Sequence, residues 1–168
     1  NSKFDFKYGR IDVKAKLPLS KGTWPAIWTL GSNIDETGNY LGEKKGEIPW
    51  PYCGEIDIME QNGWDKSDIY NVLHFQNSET DKKDEIKKIS KILNSNKFNL
   101  YSLIWTDKKI YWLLNNKITL KQNITDIMPF DNKHYLLLNL AVGGNLGGSV
   151  PKDFVKEEMQ IDFVKIFQ

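Results

Sequence analysis

The chain has 168 residues, with 23 basic and 22 acidic side chains and a formal net charge of +1. That length suits one domain with a substantial core, and the balanced charge offers no basic face for nucleic acid or an anionic membrane. Cys53 is the single cysteine, which excludes an internal disulfide and a thiolate metal site. His74 and His134 are too few for a histidine zinc site, and no apolar run approaches the ~18 residues that cross a bilayer.

Tyr8 to Leu17 alternates cleanly: Gly9, Ile11, Val13, Ala15 and Leu17 share one face, against Tyr8, Arg10, Asp12, Lys14 and Lys16. This is the pattern of a half-buried antiparallel strand. Pro18 ends it and Ser20-Lys21-Gly22 forms the turn. Thr23 to Leu30 reads as a second strand with Trp24, Ala26, Trp28 and Leu30 on one face. Pro25 within it suggests a bulge or an edge position. Gly31 to Pro51 is a long polar loop, of the length that is usually functional or disordered in a compact domain.

Ile69 to Asn77, carrying His74, is the next strand after the acidic stretch described below. Ser78 to Asn96 is lysine-rich, and a solvated excursion between strands is expected there. The alternative is a short helix using Ile86, Ile89 and Leu93. Phe98 to Thr106 and Ile110 to Leu114 are strands, and Asn115-Asn116 is a hairpin turn leading to Ile118. Tyr135 to Val142 is an apolar strand interrupted only by Asn139. Gly143-Gly144 and Gly147-Gly148 follow, without the lysine or helix pattern of a phosphate loop, and Gln160 to Phe167 closes the chain. Short strands, turn signals and little helix predict an all-β sandwich.

Gly54-Glu55-Ile56-Asp57-Ile58-Met59-Glu60 carries the chemistry. On a helix Glu55 and Glu60 would lie roughly 140° apart, at about 100° per residue. On a strand Glu55 and Asp57 point the same way, and Glu60 joins them only if one extra residue is inserted. A β-bulge at Ile58-Met59 would line up all three acids and leave Ile56 on the core side. Crowded carboxylates cannot all ionise easily, so their proton affinities spread. Glycoside hydrolysis needs such a spread: one carboxylate to attack and one protonated carboxyl to give its proton to the leaving oxygen. A solvent-facing acidic strand paired with lysines is the bland alternative.

Several blocks then occur in order: Tyr8-Gly9-Arg10-Ile11, Gly22-Thr23-Trp24-Pro25-Ala26-Ile27-Trp28, Pro51-Tyr52-Cys53 running into the acidic stretch, Asn139-Leu140-Ala141-Val142-Gly143-Gly144-Asn145 and Ile161-Asp162-Phe163-Val164. Together they resemble glycoside hydrolase family 16, and within it the laminarinases, which are endo-β-1,3-glucanases. The resemblance implies a β-jelly roll of two antiparallel sheets with a sugar cleft on the concave one. It implies a retaining double displacement with Glu55 as nucleophile, Glu60 as acid/base and Asp57 between them. The Met59 insertion resembles the bulged form of the motif; the unbulged form is associated with lichenases.

Trp24, Trp28 and Trp50 are candidate sugar platforms, with core packing as the alternative for each. Asn139, the only polar side chain in its apolar strand, is a sugar-hydroxyl ligand or an internally satisfied amide. His74 is a candidate contact to the acids, and Asn33 resembles a substrate-binding asparagine. The Gly9 carbonyl and Asp162 resemble the family's structural calcium site; no cofactor is expected for catalysis.

Residues 1–168 are expected to form one family 16-like catalytic domain that enters at Asn1-Ser2-Lys3 without its N-terminal strands, leaving an open sheet edge. Ile104 stands where the resemblance leads one to expect an acid before Trp105. Residues 1–10 lack a signal-peptide pattern, while the resemblance implies a secreted or cell-surface monomer. The expected partner is a β-glucan polysaccharide or oligosaccharide, with no nucleic-acid or membrane partner. Hydrolysis or transglycosylation of another β-glucan or an algal galactan, and non-catalytic glucan binding, are the competing functions.

Overall fold

A computed structural model describes residues 4–35 and 47–168. The middle of the long polar loop, 36–46, and the chain entry at Asn1-Ser2-Lys3 lie outside the described residues.

Ten strands follow in sequence. β1 spans Gly9–Lys16, β2 Thr23–Gly31, β3 Glu55–Gln61, β4 Asp68–Asn77 and β5 Lys82–Lys91. β6 spans Asn99–Trp105, β7 Lys109–Leu114, β8 Lys117–Asn123, β9 His134–Val142 and β10 Gln160–Phe167. One helical turn, α1 (Gly144–Gly147), lies between the last two. They form two five-stranded sheets, β10-β1-β6-β7-β8 and β5-β4-β3-β2-β9, every pair antiparallel. This is the jelly-roll sandwich.

Alternation sets the layers. Ile11, Val13, Ala15 and Leu17 of the first strand region are all at most 1% exposed. They meet Ile27, Ile56, Ile58, Met59, Leu73 and Phe75 of the other sheet, with Tyr101, Leu103, Trp105 and Trp112 filling the space between. Because β1 buries one face only, its polar residues are left outside. The Asn115-Asn116 turn has φ 49° and 64°, the left-handed pair that a two-residue hairpin between β7 and β8 requires.

Two sequence expectations change. Residues 82–91 are neither a solvated excursion nor a helix but the edge strand β5, paired to β4 along its whole length. Its weak signal has a physical cause: only Ile86 packs against the core, and the flanking positions are charged, as suits an edge strand that must not recruit another chain. Leu93, needed for the helical face, is 92% exposed. Pro25 marks neither an edge nor a bulge of its own; β2 is central, between β3 and β9. The proline is tolerated because the ladder with β3 begins only at Ala26.

Among the described residues β9 is an edge strand with β2 as its one neighbour, and its Leu138 and Val142 are 39% and 51% exposed. The glycine-rich segment also has a structural explanation. A side chain on Gly63 would collide with the Gly147 backbone at 2.0 Å, so β3's end and α1 touch through glycine alone. Gly144 sits under the Trp24 ring and helps to fix it.

Candidate active site

β3 is built around a bulge. In the ladder with β2, Glu60 faces Ala26, Met59 faces Ile27 and Asp57 faces Trp28, leaving Ile58 unmatched. The ladder with β4 shifts at the same place, between Asp57 and Glu60. A bulge strands backbone groups that the sheet would otherwise pair. Here they are caught from outside the ladder: the Trp112 indole donates to the Asp57 carbonyl at 2.8 Å, and the Asn71 amide donates to the Ile58 carbonyl at 2.7 Å. Thr119 in turn donates to the Asn71 carboxamide oxygen at 2.7 Å, which fixes its orientation.

The consequence is the alignment that strand alternation alone forbids. Ile56, Ile58 and Met59 are buried in the core. Glu55, Asp57 and Glu60 line one cavity of about 230 Å³, together with Trp24, Trp28 and Asn139.

Each outer acid is held by an indole. The Trp24 N–H donates to Glu60 at 2.9 Å and the Trp50 N–H donates to Glu55 at 2.9 Å. Trp28 turns its N–H to the Asn139 side-chain oxygen at 2.7 Å. Trp24 and Trp28 therefore belong to the cleft face rather than the core. Asn139 is exposed at the cleft wall, not a buried amide, because β9 is an edge strand. Trp50 is 43% exposed, but one face of its ring is capped by the Lys83 ammonium at 4.0 Å.

His74 sits where it was expected, opposite Glu55 on β4. Its Nε2 lies 3.5 Å from Asp57 and 3.9 Å from Glu55, and its Nδ1 lies 3.3 Å from Glu85 on β5. No hydrogen bond joins Asp57 to Glu55, and the buried Asp57 Oδ2, which faces His74 at 3.5 Å, has no hydrogen-bond partner.

Burial raises all three acids. Glu55 is pushed up to about 7, first by desolvation, against the pull of the Trp50 hydrogen bond; Glu60 adds to the rise and Lys83 opposes it. Asp57, fully enclosed, is raised well above the usual carboxylate range by burial and then by Glu60, Glu55 and Glu85. Glu60 is raised by burial, with Trp24 and Lys87 opposing and Glu85 assisting. His74 is lowered, chiefly by burial, so its imidazole tends to the neutral form. Burial therefore favours the protonated form of each acid, with Asp57 the most buried of the three.

Other candidates are not brought together. Asn33 lies at the start of the polar loop, its carbonyl accepting from the Glu47 and Ile48 amides, and it does not line the acid cavity. Gly9 and Asp162 stand at opposite ends of the β1–β10 ladder, about 17 Å apart at a strand's rise per residue. Asp162 is paired with the Lys14 ammonium at 2.7 Å. Calcium takes six or more oxygens, and this pair does not fit it. Ile104 lies on β6 between Arg10 and Tyr111. Lys83, Glu85 and Lys87 were missed. They alternate on one face of β5 and reach the acids, and the only signal was a period of two within a charged run.

A jelly-roll sandwich with three carboxylates and two indoles on one sheet face has the features of a carbohydrate-processing protein. The chain belongs to glycosyl hydrolases family 16, whose family model matches residues 1–163. LamAcat from Zobellia galactanivorans superposes with a TM-score of 0.94 at 46% identity, covering 100% of this chain and 67% of that one. The laminarinase catalytic domain from Thermotoga maritima gives 0.81 at 31% identity, covering 98% and 65%. Among curated relatives, the keratan-sulfate endo-1,4-beta-galactosidase of Sphingobacterium multivorum is 30% identical, and the chain spans 38% of its length. Glucan endo-1,3-beta-glucosidase A1 of Niallia circulans is 31% identical, over 99% of this chain and 25% of its own.

Proposed function

We propose that the protein is a retaining endo-glycosidase that hydrolyses internal β-1,3-glucosidic bonds of laminarin-type glucans. The observation that carries this is the bulged β3 strand, which puts Glu55, Asp57 and Glu60 on one face of a cavity walled by Trp24, Trp28 and Asn139. A LamA structure from Zobellia galactanivorans, 45% identical over 100% of this chain with a TM-score of 0.93, is in complex with laminaritriose and laminaritetraose, which supports the substrate class.

In this reading Glu60 protonates the glycosidic oxygen, since an alkoxide is a poor leaving group at neutral pH. Its raised proton affinity suits it to that role. Glu55 attacks the anomeric carbon from the other side and forms a glycosyl ester; Glu60, now ionised, takes a proton from water and the ester is hydrolysed. Burial raises the proton affinity of Asp57, which lessens the negative charge beside Glu55. The Trp50 and Trp24 N–H groups hold the two working carboxylates in place. The Trp28 ring, fixed through Asn139, offers an apolar face for a pyranose. A polymeric substrate argues for action outside the cytoplasm.

A second reading, a hydrolase of galactans, has the galactosidase relative in its favour. A pure binding role has less support, because ligand binding gives no reason to crowd three half-dry acids. Reducing-end release from laminarin, lichenan and agarose separates these. Release from laminarin above the other two is expected. Release from agarose alone would overturn the glucan assignment, and release from none would overturn the enzyme.

A further inference from the structure

Trp50 presents a physical problem. Its indole must stay on Glu55, yet it is 43% exposed and follows the long polar loop rather than a packed element. An exposed side chain keeps its rotamer freedom unless something holds it. His74 is a tilted neighbour, its ring centre 6.0 Å away. The Lys83 ammonium lies 4.0 Å over the ring centre, the shortest cation-to-ring distance among the described residues.

Lys83 reaches this place because β5 exists. It pairs with Gln76 of β4, two positions along from the Glu85–His74 pair, so that Lys83, Glu85 and Lys87 share the face that continues the acid cleft. Glu85 lies 3.3 Å from His74 Nδ1 and is paired with the Lys87 ammonium at 3.7 Å. Lys83 makes no carboxylate pair among the described residues.

We propose that Lys83 is a positioning residue for the reaction: its ammonium, seated on the Trp50 ring, holds the indole N–H on the Glu55 carboxylate. The inference rests on Glu55 being the nucleophile. Two effects act in the same direction. A cation over a π face is attracted by the ring quadrupole and fixes the ring. It also draws electron density from the indole, making the N–H a better donor to an anion. Both favour the ionised nucleophile. So does the charge itself, which opposes the Glu60 carboxylate and the desolvation of Glu55. Asp57 and Glu60 on β3, His74 on β4, and Glu85 and Lys87 on β5 are the other titratable groups around this carboxylate, and Lys83 is the cation that reaches it through Trp50.

Lys83→Met keeps the stem and removes the charge. We expect kcat on laminarin to fall about tenfold with KM within about twofold, and the acidic limb of the pH profile to move up by about half a unit. Lys83→Arg should restore both. In a Trp50→Phe background Lys83→Met should cost clearly less than in the wild type, since the part that acts through the indole N–H is already lost and only the direct charge effect remains. Lys83→Gln carries the same comparison if Lys83→Met does not fold. A wild-type kcat and pH profile, a change in KM alone, or an equal loss in the Trp50→Phe background would each overturn the proposal. An active Glu55→Gln variant would instead overturn the functional reading beneath it, so the two failures are distinguishable.

Discussion

Replacing Glu55 with glutamine should make the protein more stable above neutral pH. The carboxyl is raised from 4.5 to about 7, with burial as the first cause. The folded state therefore binds this proton more tightly than the unfolded chain does. Between those two values the unfolded state gives up its proton first, so stability falls as pH rises through the window and is constant above it. At roughly 1.4 kcal/mol per unit, the loss is about 3 kcal/mol. Glutamine keeps the size and an acceptor for the Trp50 N–H but cannot ionise, so the variant escapes the loss. Urea unfolding at about pH 4 should find the two proteins alike, and at about pH 8 the variant ahead by about 3 kcal/mol. For a domain of this size that is a melting-point gain of about 6–12 °C. A variant that tracks the wild type at both pH values would mean that Glu55 is well solvated, and the argument from burial would be refuted.

Trp24→Phe removes the hydrogen bond that stabilises ionised Glu60, so its proton is held to higher pH; the alkaline limb of the kcat/KM profile should move up by about one unit, and a downward shift would contradict this. Trp28→Ala should weaken laminari-oligosaccharide binding by about 1–3 kcal/mol in calorimetry, by analogy with base stacking on aromatic rings, with the melting point little changed. Asn71→Ala strips the Ile58 carbonyl of its partner; it should cost about 1–3 kcal/mol in chemical unfolding and lower kcat by misplacing Glu60, whereas unchanged activity would show that the bulge holds without it.

The bulge was legible in the sequence because period-two alternation and three acids on one face are incompatible without an added residue. The ladders place that residue at Ile58. The sandwich was legible for the same reason, through strands such as β1 that bury one clean face. β5 was not, because a charged edge strand is stabilised by its backbone ladder to β4, and its side chains carry almost no pattern. Alternation put Trp24 and Trp28 on the cleft face, but it says nothing of ring orientation. That the indole N–H of Trp24, and of Trp50 at the loop's end, would grip the acids therefore required the structure. Gly9 and Asp162 show the opposite limit: each matched a motif, and the antiparallel register of β1 and β10 keeps them a ladder's length apart.

The proposed mechanism requires a covalent ester between Glu55 and the sugar. A laminari-oligosaccharide bearing a 2-fluoro substituent and an activated leaving group slows hydrolysis of such an ester enough to isolate it. Incubation followed by proteolysis and mass spectrometry should find the glycosyl adduct on the peptide carrying Gly54-Glu55-Ile56, with product released in the β configuration. An adduct on Glu60, or no adduct together with inverted product, would contradict the account.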